Sequence, residues 1–131
     1  MIDKLFSLWD SVQDFLSQAA EATGLSDAIE VIEQNDVQLV LKANGRDVIV
    51  NKRYGTVMAE SRLLARTAAI KSVDIKYCRH RYRGRLVEWW VVRLNLNWYS
   101  SVRIGSTKNK LDAAIAAANL GTATGKKVRS Y

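Results

Sequence analysis

Between Val37 and Ile104, apolar residues return at every second position in one stretch after another, and the stretches are separated by turn signals. A two-residue period sends successive side chains to opposite faces of an extended chain, so this region reads as strands rather than amphipathic helices. Val37, Leu39 and Leu41 share a face, with Gln38 and Lys42 opposite. Asn44-Gly45 then marks a tight hairpin, and Val48 and Val50 lie on the return strand. Tyr54-Gly55 is a second turn, before Thr56 to Glu60, and Val73, Ile75 and Tyr77 alternate with Asp74, Lys76 and Cys78 in a strand expected to end near Arg79. The longest candidate runs from Leu86 to Trp98, with Trp90, Val92, Leu94 and Leu96 on one face and Arg93, Asn95 and Asn97 on the other. Val87, Trp89 and Val91 fall on that second face, so the first half of the strand is apolar on both sides and requires a cover. Tyr99 to Ile104 makes a last strand, and residues 61 to 70 read as strand and loop. Proline is absent, and the seven glycines supply the punctuation.

The two ends follow a different period. Ile2, Leu5, Phe6, Leu8, Trp9, Val12, Phe15, Leu16 and Ala19 recur at three and four spacing, which predicts a helix over residues 2 to 22 with Asp3, Asp10, Asp14 and Glu21 on its polar side. Near the other end, Ser106 or Thr107 can cap a helix whose stripe is Leu111, Ala114, Ile115 and Ala118, with Gly121 closing it. Lys126 to Tyr131 is expected to be a mobile basic tail. The expected fold class is therefore α+β. An N-terminal amphipathic helix (1–25) precedes a β-rich domain (26–125), which has an antiparallel six- or seven-stranded curved sheet or partly open barrel and a C-terminal capping helix; the tail is 126–131.

A chain of 131 residues, 48% of them hydrophobic, suits one compact domain. The longest apolar run is Ala113 to Ala118, too short to cross a bilayer as a helix. The acidic N-terminus lacks the basic start and apolar centre of a secretory signal, so a cytoplasmic location is expected. Lone Cys78 and lone His80 cannot complete a metal set or an intramolecular disulfide, and neither metal nor cofactor is expected. Asp74 and Glu88 are the only acids between Arg62 and Lys110, and they suit strand-face ion pairs rather than catalysis. The chain is not expected to be an enzyme.

The net charge of +7 is unevenly distributed. Residues 1 to 60 carry five basic and ten acidic side chains, whereas the remainder carry fifteen and three. The densest basic stretch is Arg79, His80, Arg81, Tyr82, Arg83, Gly84 and Arg85, around a hairpin tip. Guanidinium forks suit phosphate oxygens and tyrosine can stack on a base, so Arg79, Arg81, Arg83 and Arg85 are anion-binding candidates, with Lys76, Arg93 and Arg103 extending the surface. A charged tip also serves simply to stay solvated and to discourage edge pairing. Phe6, Trp9, Phe15 and Leu16, set against Val87, Trp89 and Val91, form complementary apolar patches that can close within a chain or between copies.

The order of strand and turn at Val48 to Val57, strand at Ser72 to Tyr77, long hairpin, and Arg103-Ile104-Gly105-Ser106 opening a final helix resembles a pleckstrin-homology-like (PH-like) domain of the small bacterial kind, over about residues 37 to 125. That resemblance implies a binding platform for lipid headgroups, peptides or further copies of itself. The leading functional expectation is a non-enzymatic binding module acting through protein–protein interaction, including self-association as a homo-oligomer. The alternative is nucleic-acid or anionic-lipid headgroup binding through residues 79–85.

Overall fold

The computed structural model describes residues 28–97 and 99–131. The helix expected over residues 2 to 22 lies outside them. The described part is mostly β, with nine strands in two open sheets and a single α-helix, which corrects the expected six- or seven-stranded curved sheet or barrel of an α+β domain. The first sheet is an antiparallel meander of β1 (Ile29–Gln34), β2 (Gln38–Ala43), β3 (Arg46–Asn51), β4 (Thr56–Ala59) and β5 (Arg62–Arg66), in that order. A short 3₁₀ turn, Thr67–Ala69, leads to β6 (Ser72–Tyr82), β7 (Arg85–Asn97) and β8 (Ser100–Thr107); helix α1 (Lys110–Thr124) and β9 (Lys127–Ser130) follow. The second sheet has the order β8-β7-β6-β9, with β9 parallel to β6.

The alternation read from the sequence decides which side chains meet. Leu39, Leu41, Val48, Val50 and Val57 point from the first sheet into a core completed by Val73, Val92, Leu94 and Ile104 of the second. Asn44-Gly45 makes the expected hairpin, with φ of 54° and 78° at its two central residues. The β4–β5 turn uses Glu60 and Ser61 at φ of 50° and 65° without a glycine, which is why no turn signal marks it in the sequence.

Helix α1 buries a different face from the expected one. Ala113, Ala116, Ala117, Leu120, Gly121 and Thr124 are inside, whereas Leu111 and Ile115 are exposed by 65% and 46%. Small residues win here because α1 packs against strands of both sheets, and only a slim face fits so close. The helix is capped by Asn109, whose side chain accepts from the backbone N–H groups of Leu111 and Asp112, rather than by Ser106 or Thr107. It runs through Gly121, where a Cβ would come within 2.9 Å of Val128, and ends at Gly125 with φ of 71°.

The two sheets are joined by side chains at one corner. The Asn44 amide donates to the Ser106 carbonyl at 2.9 Å, and the Ser106 N–H donates back to Asn44 Oδ1 at 2.8 Å, so one side chain mimics a strand rung. Arg46 donates to the carbonyls of Arg103 and Ile104 at 3.3 and 3.2 Å. Gly105 lets the chains approach here, since a Cβ at that position would lie 2.9 Å from Ala43. Replacing Asn44 by Gly keeps the left-handed turn and deletes both bonds to Ser106. Urea unfolding should then show a loss of about 1–3 kcal/mol, whereas Leu111→Ala on the exposed helix face should change stability by no more than about 0.5 kcal/mol.

Candidate functional site

β6 and β7 outrun their neighbours. The last β8 rung pairs Trp90 with Thr107, and the last β9 rung pairs Ile75 with Ser130. Beyond them, the rungs from Cys78–Trp89 to Tyr82–Arg85 form a two-stranded ribbon that no third strand flanks among the described residues. At about 3.3 Å per residue its strands extend roughly 15 Å past the sheet. Arg83 and Gly84 make the tip, at φ of 51° and 77°.

Register divides the candidate residues between the two faces of this ribbon. Val73, Ile75, Tyr77, Arg79 and Arg81 share the inner face with Leu94, Val92, Trp90, Glu88 and Leu86 of β7. Lys76, Cys78, His80 and Tyr82 share the outer face with Val91, Trp89, Val87 and Arg85. Arg79 and Arg81 thus stand together, Arg83 sits in the turn, and Arg85 lies on the other side. Arg93 pairs with Arg103 across β7 and β8, and both belong to the outer face together with Lys76. The seven basic candidates therefore form no single surface.

Arg79, Arg81, Arg83 and Arg85 are all exposed. None of the four lies within ion-pair distance of a carboxylate among the described residues, where Arg129–Asp74 is the ion pair found. The Arg83 guanidinium rests over the Tyr82 ring at 5.4 Å. Arg103 is held differently, donating to Ser106 Oγ at 2.8 Å. One acid is firmly engaged. Asp74 is buried, accepts from Ser72 at 2.7 Å, and takes both prongs of the Arg129 guanidinium at 3.1 and 3.2 Å, with the Tyr131 hydroxyl donating at 3.4 Å. That cluster fastens β9 to β6, so the basic tail expected to be mobile forms a strand instead. Sequence reading missed it because the partner acid lies 55 residues away.

On the inner face, Tyr77 and Trp90 pack with ring centroids 5.4 Å apart and line a cleft of about 440 Å³ with Ile75, Glu88, Lys110 and Ala114. On the outer face, Val91 and Trp89 are buried and Val87 is half-buried, with the Trp89 indole N–H finding no acceptor among the described residues. These three share one face, as the alternation requires; Phe6, Trp9, Phe15 and Leu16 lie outside the described residues. No group of three or more His, Cys, Asp and Glu that could hold a metal occurs among the described residues, and no described helix is long and apolar enough to cross a membrane. Compared with protein-family models, curated proteins and solved structures, the chain matches none.

Partial burial, followed by the hydrogen bond to Glu88 and its charge, raises the Tyr77 hydroxyl above the ordinary tyrosine value of 10.0, against the opposing charge of Arg79. A raised folded value means that the folded chain keeps this proton longer than the unfolded one, so the associated stability is lost as pH rises through and beyond about 10. Tyrosinate absorbance should show one late-titrating tyrosine that Tyr77→Phe removes. The alkaline loss of stability should be shallower in that variant than in wild type.

Proposed function

We propose that the protein is a non-enzymatic binding module for nucleic acid, engaged through the arginine-tipped β6–β7 ribbon. The observation that carries this reading is four exposed arginines within seven residues, none within ion-pair distance of a described carboxylate. Each guanidinium presents a rigid fork of donors matched to phosphate oxygens. Placed on both faces and at the tip of a narrow ribbon, they fit a duplex. A two-stranded ribbon can enter a major groove about 12 Å wide, where arginines reach phosphates on both sides and guanine edges between them.

Backbone strain at the tip supports the same reading. Arg83 holds φ of 51°, a conformation that Asn or Gly adopts at less cost and that a long side chain rarely takes. A strained residue kept at an exposed tip points to what its side chain does rather than to the turn it makes. The leading sequence expectation, protein–protein interaction with self-association through the apolar residues of β7, is served less well by this geometry. Trp89 and Val91 are exposed by only 2% and 0%, and so offer little surface to a second copy.

Fluorescence anisotropy with a labelled duplex, a labelled single strand and phosphatidylserine vesicles as competitors tests the proposal. The duplex should bind with an affinity that falls steeply with salt. Replacing Arg79 and Arg81 by Ala should lower the slope of log K against log salt by about two. Arg83→Asn should weaken binding while raising stability by about 1 kcal/mol, a split that mere relief of strain would not produce. Wild-type affinity in the Arg79/Arg81 double variant overturns the assignment, as does binding to vesicles but not to the duplex.

A further inference from the structure

We infer that residues 2–22 of this same chain dock on the outer face of the β6–β7–β8 sheet, over Trp89 and Val91. The inference is independent of what the arginine tip binds. Trp89 and Val91 are buried, yet neither belongs to the core shared by the two sheets and α1. Strand alternation points them away from that core, because their neighbours Trp90, Val92 and Leu94 point toward it. The described elements packed most extensively on β7 are its sheet neighbours β6 and β8, and α1, whose buried residues lie in the core on the opposite face. At Trp89 the sheet has already narrowed to two strands. An aromatic side chain of this size buries on the order of 150–250 Å², which Cys78, Val87 and Val91 on a bare ribbon cannot supply. Another apolar surface must lie across it.

Three features select residues 2–22 as that surface. Their apolar residues fall at helical spacing, so Leu5, Trp9, Val12 and Leu16 make one continuous stripe, with Phe6 and Phe15 at its two borders. A helix of that length spans about 30 Å, enough to cross three strands at about 4.8 Å spacing and continue along the ribbon. The described chain begins next to the patch: the Ala28 carbonyl accepts from the Asn44 N–H, and Asn44 is paired with the backbone of Ser106, the residue opposite Val91.

Cys78, the only cysteine, lies on this face directly across from Trp89 and reports on the cover without any engineered label. In the full-length chain its reaction with a thiol reagent should be slow, and Phe15→Asp with Leu16→Asp should accelerate it at least tenfold while circular dichroism retains the β signal. Leu111→Asp, on the exposed side of α1, should leave the rate unchanged. Equal rates in wild type and the Phe15/Leu16 variant overturn the inference. Light scattering of the wild-type chain supplies a second readout that needs no substitution. Slow Cys78 reaction in a chain that scatters as a monomer is the expected result, whereas slow reaction seen only in dimers, and lost on dilution to the monomer, assigns the segment to a second copy and overturns docking within the chain.

Discussion

The pairing of β6 with β7, unbroken in register from Ser72–Asn95 to Tyr82–Arg85, is the interaction on which the rest of the structure depends. Its inner half supplies Val73, Ile75, Val92 and Leu94 to the core; its edges receive β8 and β9. Its outer half continues where the sheet has no further strands to offer. Because side chains alternate strictly along both strands, one register fixes the core, the aromatic cleft and the buried outer patch together. A one-residue slip would exchange all three.

Polar side chains complete what the ladders leave open. Asn44 closes the corner between the sheets by pairing with the Ser106 backbone, and Asp74 holds the final strand by gripping Arg129. Each is a buried or half-buried polar group with its partners in place, so losing one partner leaves a desolvated group and costs more than the bond itself contributes. The contrast with Arg79, Arg81, Arg83 and Arg85 is informative. Among the described residues the fold pairs Asp74 where a strand needs fastening and leaves the ribbon tip positively charged.

Much of this was legible in the sequence where the evidence is local. Alternation located every long strand, Asn44-Gly45 announced its hairpin, and Val87, Trp89 and Val91 were correctly assigned to one face. Strand number was not legible, because a short strand such as Lys127–Ser130 holds too few residues to show a period. The face of α1 was misjudged for a physical reason: bulk suggested Leu111 and Ile115, but a helix packed against two sheets buries its alanines and Gly121. The arginine cluster was legible as a cluster. Its division between two faces was not, since that depends on a register set by partners across the hairpin.

The central claim is that the β6–β7 ribbon is a rigid extension of the sheet, clamped at its base by a covered outer face and left bare at its tip. Residue-resolved amide hydrogen exchange of the wild-type chain tests this most directly. The account predicts strong protection in the core rungs, continuing outward through Cys78 and Trp89, and falling away only from Arg81 to Arg85. Fast exchange beginning at Tyr77 and Trp90, where the flanking strands stop, would contradict it.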